Sequence, residues 1–398
     1  MSVYKFMVVA GARPNFMKIA SITSAIEDHN HSRRVPQIER ILVHTGQHYG
    51  EQMSASFFRD LGIPSPDVDL EVGSSSHAQQ TAEIMKRFEP VLLEHTPDVL
   101  IVVGDVNSTV ACSLVASKIE YPSQRGRVRP LIVHVEAGLR SFDRSMPEEI
   151  NRIVTDALSD LLFITEESAA TNLKLEGVAQ AKIHWVGNTM VDTLLKHRDK
   201  AKESKILSQL GLQQVAGHEL RSFAVVTLHR PSNVDKRESL EEILDALLML
   251  SQKIKILFPM HPRTTHRIRE FGFSSKFEFY ESLQPIVDST RIHCIPPLGY
   301  LDFLCLTSNA KLVLTDSGGI QEETTVLGVP CVTLRENTER PITVSTGNNV
   351  LAGTKKENIL RLALERMEQK VRPNRPKYWD GEAGTRIVEL LSRLVESS

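Results

Sequence analysis

Two apolar, strand-like runs in this chain end on a carboxylate, and a third opens onto a Ser-Gly-Gly turn. Val103-Gly104-Asp105-Val106-Asn107-Ser108 places Asp105 behind one run, and His134-Val135-Glu136-Ala137-Gly138 places Glu136 behind another. Met146-Pro147-Glu148-Glu149 then opens a helix with an acidic pair. Asp105 reads either as a ligand-facing acid or as the N-cap of a helix starting near Asn107. Either Glu148 or Glu149 is equally explained as a dipole partner in a first turn. Asp105, Glu136 and one of the pair converging on one cleft would crowd their charges. Crowded carboxylates raise one another's proton affinity, the property of a general acid/base set.

Thr315-Asp316-Ser317-Gly318-Gly319-Ile320-Gln321-Glu322-Glu323 carries a different chemistry. It joins an apolar run to a helical pattern that ends at Gly328, so Ser317, Gly318 and Gly319 open a helix. The first N–H groups there have no intrahelical partner, and the dipole adds positive character. Two glycines let an anion approach the backbone. No Walker lysine and no third glycine is present, so neither of those nucleotide fingerprints applies. Glu323, one turn further in, suits vicinal hydroxyls, and a diphosphate followed by a ribose fits both features. A glycine-rich turn closing an ordinary βα unit is the plainer alternative. Arg13 and Lys18 follow the first strand-like run and can reach an anion. His229-Arg230 and His261 stand just past two later runs, placed for function or as structural histidines.

Strand-like and helix-like segments alternate along the whole chain, the pattern of parallel sheets covered by helices. The expected strands are 4–10, 40–44, 99–103, 131–135, 161–165 and 183–186, then 223–227, 255–260, 291–294, 310–315 and 331–334. At 398 residues two α/β domains are expected, 1–187 and 188–375, with the boundary near Gly187-Asn188. A last amphipathic helix, 383–396, is placed to return to the first domain. Ligands of such sheets bind at the carboxyl ends of the strands, and a cleft between the domains is the expected site. A formal charge of −2 and 41% apolar residues describe a soluble protein without the basic excess of a nucleic-acid binder. No apolar stretch is long enough to span a bilayer. Cys112, Cys294, Cys305 and Cys331 are scattered without metal-ligand spacing, as in a reducing cytoplasm.

GARPNFMK, HTGQHY, GDVNST, HVEAGLRSFDRSMPEEINR, VGNTMVDTL, TLHRPSNVD, PMHPRT, LTDSGGIQEE and TERP occur in that order. Together they closely resemble the non-hydrolysing UDP-N-acetylglucosamine 2-epimerases over nearly the whole chain. The resemblance implies two Rossmann-like domains, as in the B-type glycosyltransferases. It also implies interconversion of UDP-GlcNAc and UDP-ManNAc without a metal or redox cofactor. By motif, Arg13, Lys18, Asp105, Glu136, Glu148 and His229 correspond to the family's active site. Ser317, Gly318, Gly319, Glu323 and Arg340 correspond to its nucleotide contacts, with Phe303 near the uracil. Gln47, His48, Arg230 and His261 match part of a second, activating UDP-GlcNAc site of bacterial members. Two departures stand out: Leu298 replaces a glutamine of several bacterial relatives, and Asn15 a commoner glutamate.

The expected setting is a cytoplasmic homodimer that takes a UDP-sugar, with no nucleic-acid or membrane partner. A glycosyltransferase of the same fold would show an acceptor groove, and none is evident. The hydrolysing epimerases usually have alanine where Pro14 follows Arg13. A nucleotide-sugar sensor would not need three carboxylates. An epimerase of a related UDP-sugar, such as a diacetamido uronic acid, stays open.

Overall fold

The computed structural model describes residues 3–46, 58–122, 128–213, 221–260, 262–345, 347–369 and 372–396, with the backbone alone for Arg13 and Pro262. The chain divides into two compact units, Met1–Lys196 with Lys377–Ser398, and His197–Pro376.

The first unit is built on a seven-stranded sheet: β1 (Val3–Ala10), β2 (Gln37–His44), β3 (Val68–Asp69), β4 (Val99–Val103), β5 (Leu131–Val135), β6 (Leu161–Ile164) and β7 (Ile183–Trp185). Its order is β3-β2-β1-β4-β5-β6-β7, and the paired strands run parallel. A parallel sheet is covered on both faces, so its strands are apolar throughout. Every residue of β4, Val-Leu-Ile-Val-Val, is buried. The helix His77–His95 buries Ile84, Phe88 and Leu92, one stripe at four-residue spacing.

The second unit repeats the plan with β8 (Phe223–Thr227), β9 (Lys255–Pro259), β10 (Phe277–Phe279), β11 (Ile292–Ile295), β12 (Leu312–Thr315), β13 (Cys331–Thr333) and β14 (Asn349–Leu351). Their order is β10-β11-β9-β8-β12-β13-β14, again parallel. The helix Arg237–Leu250 packs Leu240, Ile243, Leu244 and Leu247 onto this sheet's core. Each expected strand is present within three residues of its expected limits. The sequence pattern did not show β3, β10 and β14. Each has only two or three residues, too few for a period to register, and each lies at a sheet edge.

The division falls after Lys196, not near Gly187-Asn188, because the helix Thr189–Ala201 begins in the first unit. Thr193 Oγ1 donates to Met17 O (2.6 Å), and Asp192 Oδ2 accepts from Gly384 N (2.8 Å). The helix Ala383–Glu396 buries Ile387, Val388, Leu391 and Val395 and lies against the helix Arg13–His31. The approach is close: a Cβ on Gly384 would stand 2.6 Å from Ser21 O. Trp379, fully buried, donates from Nε1 to Thr165 O (3.0 Å). Among the described residues no helix is long and apolar enough to cross a membrane.

Candidate functional site

In each unit the candidate residues gather where the strand order reverses. There, successive crossovers leave on opposite faces and open a crevice at the carboxyl edge. The reversal lies between β1 and β4 in the first unit and between β8 and β12 in the second.

In the first unit the turn after β1 is fastened by Asn15. Its Oδ1 accepts from Gly11 N (3.2 Å) and Ala12 N (3.0 Å), and its Nδ2 donates to Val103 O at the end of β4 (3.0 Å). A glutamate could take the two N–H groups but could not donate to the carbonyl. Asparagine therefore staples the two central strand ends together, a physical account of this departure. Arg13 is the first residue of the following helix. Lys18, on the same helix, points at a partner and not at open solvent: Nζ lies 2.8 Å from Glu136 Oε1, both side chains buried. Glu136 adopts a left-handed φ of 73°, costly for a residue with a Cβ. The turn is held by Glu136 N and Ala137 N, which both donate to Phe163 O. Gly104 has a φ of 67°, and a Cβ there would be 2.7 Å from Lys18 Nζ. The Asp105 turn thus adjoins the Lys18–Glu136 pair.

Asp105 is not an N-cap. The helix Asn107–Ala116 has Val106 at that position and no side-chain cap bond. Asp105 Oδ2 accepts instead from Arg152 Nη1 (2.6 Å), because this buried guanidinium requires anions. Arg152 Nη2 reaches Glu149 Oε2 (2.5 Å). Glu149 also accepts from Ser141 N, Ser141 Oγ and Phe142 N (3.0, 3.0 and 2.9 Å). Burial pushes its carboxyl up, but the Ser141 N–H, Arg152 and the Phe142 N–H outweigh that and hold it below the usual range. The acidic pair is thereby resolved: Glu149 anchors the loop, while Glu148 is half-buried in the first helical turn.

In the second unit Asp316, which received no role from the sequence, organises the turn after β8. Its carboxylate accepts from His229 N (3.0 Å), Arg230 N (2.9 Å) and Asn233 Nδ2 (3.2 Å). It also faces His229 Nδ1 at 2.9 Å. Burial raises its proton affinity, yet His229 and these N–H donors more than offset it and keep it ionised. A carboxylate only accepts, so Nδ1 carries the hydrogen and Nε2 of the half-exposed imidazole is left to other partners. An acid directly behind an apolar strand was the signal available, the one that marked Asp105.

Ser317 is the N-cap of the helix Gly318–Leu327 and makes no side-chain cap bond. A Cβ on Gly318 would lie 2.6 Å from Glu339 Oε1, and Glu339 in turn pairs with Arg335 (2.8 Å). One turn on, Arg340 Nε meets Glu322 Oε1 at 2.8 Å. Glu323 Oε2 is buried without a hydrogen-bond partner. Phe303 is half-buried on the helix Tyr300–Ser308. Arg230 Nη2 lies 3.5 Å from Glu339 Oε1. Gln47, His48 and His261 fall outside the described residues. All four cysteines are buried and free, and burial pushes the Cys331 thiol up to about 12. Among the described residues no three His, Cys, Asp or Glu side chains form a metal-ligand group.

Burial, then the neighbouring Glu322 carboxylate, push the Glu323 carboxyl from 4.5 to about 8. The folded state therefore holds a proton that the unfolded chain releases near 4.5. That contribution to stability is fully present below about 4.5 and is lost as pH rises through about 8. Glu323→Gln is expected to remove the slope, so its melting temperature should overtake that of the wild type increasingly between pH 5 and 8. Equal pH slopes in thermal denaturation would refute the assignment.

A profile described as UDP-N-acetylglucosamine 2-epimerase matches residues 30–392. The chain is 40% identical over 390 residues to the UDP-N-acetylglucosamine 2-epimerase of Methanocaldococcus jannaschii, covering 98% of this chain and 99% of that protein. It is 38% identical over 393 residues to the Pseudomonas aeruginosa UDP-2,3-diacetamido-2,3-dideoxy-D-glucuronate 2-epimerase, covering 98% and 100%. The crystal structure of the M. jannaschii UDP-GlcNAc 2-epimerase in complex with UDP-GlcNAc and UDP superposes with a TM-score of 0.84, covering 98% and 99% of the two chains at 38% identity.

Proposed function

The chain belongs to the UDP-N-acetylglucosamine 2-epimerase family, and from that premise we propose that it interconverts UDP-N-acetylglucosamine and UDP-N-acetylmannosamine by inverting carbon 2. The observation that carries the chemistry is the cluster at the carboxyl ends of β4 and β5: the Lys18–Glu136 pair beside the Asp105 turn, with Glu148 opening the next helix.

Carbon 2 of the sugar has no adjacent carbonyl, so its proton is too weakly acidic for simple removal. Elimination avoids this. A carboxylate takes the proton from carbon 2 while the bond from carbon 1 to the diphosphate oxygen breaks, and the electron pair forms the double bond of a glycal. In the return step the diphosphate oxygen attacks carbon 1, and an acid protonates carbon 2 from the other face. Asp105, Glu136 and Glu148 supply the acid and base, and Lys18 holds the Glu136 carboxylate in place. Gly318 and Gly319 offer backbone N–H groups to the diphosphate, and Arg13 adds charge. Ser317, whose own N–H is given to Thr315 Oγ1 (3.0 Å), sets the turn that presents those groups. Arg340 lies beside this turn, and Phe303 lies near the uracil. Glu323, with one oxygen unsatisfied, accepts from the ribose hydroxyls. His229 donates through Nε2 to the departing phosphate. Arg230, with Gln47, His48 and His261, belongs to the second nucleotide-sugar site of the resemblance. No metal or redox cofactor enters this route, and the reading goes with a cytoplasmic homodimer.

Incubation with UDP-GlcNAc alone in D2O, followed by proton NMR, tests it. A second UDP-sugar should appear, and carbon 2 of both sugars should gain deuterium. Free ManNAc with UDP would instead indicate the hydrolysing reaction, and slow hydrolysis alone a transferase. Turnover only of the diacetamido uronic acid UDP-sugar would move the substrate to that of the Pseudomonas relative.

A further inference from the structure

One buried carboxylate that the mechanism does not use touches the supports of all three candidate acids. Asp156 lies on the helix Pro147–Leu158, two turns beyond Glu148, and is buried. Its Oδ1 faces His134 Nδ1 at 2.6 Å, and the other ring nitrogen, Nε2, reaches Gly104 O at 2.7 Å. Gly104 immediately precedes Asp105 and has the left-handed backbone that makes room for Lys18. The second oxygen, Oδ2, accepts from Gly138 N (3.1 Å), two residues past Glu136, and from Arg140 Nη2 (2.6 Å). Arg140 is itself held by Glu176 through two bonds, Nε to Oε1 (2.8 Å) and Nη2 to Oε2 (2.7 Å). Burial works against the charge of Asp156, but His134 and Arg140 prevail and keep it ionised.

We propose that Asp156 is a positioning residue that ties the Asp105 turn, the Glu136 turn and the Glu148 helix into one rigid constellation, through His134 on one side and directly on the other. The function of this tie rests on the epimerase reading, but its geometry does not. A hydrophobic residue at this position could not accept hydrogen bonds from two separate turns. General acid/base steps depend on ångström-scale placement of both groups. Fixing two tight turns to a single carboxylate sets their separation without using either acid.

Asp156→Asn removes the charge that faces both His134 and Arg140. With its one oxygen turned to Gly138 and Arg140, its amide can meet His134 only when Nδ1 accepts, so the charge-assisted bonds to both turns are lost. Amide hydrogen exchange of the full chain without ligand should accelerate by roughly tenfold or more over 104–106 and 136–139 together, with the second unit unchanged. The kcat should fall by roughly a hundredfold and the pH profile of kcat should shift, while the Kd for plain UDP stays within about twofold. A purely structural role would lower kcat and UDP-binding stoichiometry in proportion and leave the pH profile unmoved. That outcome, or unchanged exchange over both turns in a folded variant, overturns the proposal. His134→Gln serves if Asp156→Asn does not fold. It should loosen 104–106 but leave Gly138 protected, and protection unchanged at 104–106 would also overturn the tie. Exchange is read without substrate, so a wild-type protein inert toward UDP-GlcNAc would refute the epimerase reading and leave this test standing.

Discussion

Glu136→Gln and Glu148→Gln are each expected to slow epimerisation by at least roughly a hundredfold, the scale of losing a general acid/base group, while the Kd for UDP stays close to wild type. The two should differ in stability. Glu136 is the buried counter-charge of Lys18, so its glutamine variant leaves an ammonium without its anion and should melt at a lower temperature. Glu148 is half-buried in a first helical turn, and its neutral variant should melt near the wild type. Steady-state rates on UDP-GlcNAc, UDP titration calorimetry and thermal denaturation read the three quantities separately. Near wild-type turnover in both variants would remove the carboxylates from the mechanism.

The second large effect is expected at the nucleotide turn. Gly318→Val should weaken UDP by at least roughly a hundredfold, about 2.8 kcal/mol. Its Cβ would stand 2.6 Å from Glu339 Oε1, and Glu339 is held in place by Arg335. Either the carboxylate or the helix opening must move, and the branched side chain also covers the N–H groups. Ser317→Ala is the control. That hydroxyl makes no cap bond, and the backbone N–H, given to Thr315 Oγ1 (3.0 Å), is untouched by the change, so the UDP affinity should change by less than roughly threefold. Calorimetric titration with plain UDP decides between them. Equal affinities for wild type and Gly318→Val would make the turn merely structural.

Parallel strands of a doubly covered sheet are continuous apolar runs, so β4, β5, β8 and β12 were plain in the sequence, and with them the turns behind their carboxyl ends. Of the four short edge strands, β7 was expected, while β3, β10 and β14 carried no period and were missed. Among side chains, residue type and offset picked out Asp105, Glu136 and the Glu148–Glu149 pair, but could not say which member of the pair anchors the loop. That choice is made by Ser141, Phe142 and Arg152, which surround Glu149 from elsewhere in the fold. Asp316 and Asp156 were overlooked for the same reason. A supporting carboxylate is recognised by what it accepts from, and His134, Gly138 and Arg140, or His229, Arg230 and Asn233, become its neighbours only through tertiary structure. Residue type alone does not account for the asparagine at position 15; its amide spans two strand ends that only the fold brings together.

The last helix, Ala383–Glu396, lies on the helix that carries Arg13 and Lys18, with Gly384 against Ser21 and Trp379 bonded to Thr165. Synthesis delivers this segment after the whole of the second unit. A growing chain holds the whole of His197–Pro376 before the opening unit has its final wall, so the unit begun first is the one finished second. Until then the outer face of the Arg13–His31 helix stays uncovered. A ribosome that stops short of Ala383 therefore releases a chain whose later unit can be complete while the unit bearing the candidate acids is not.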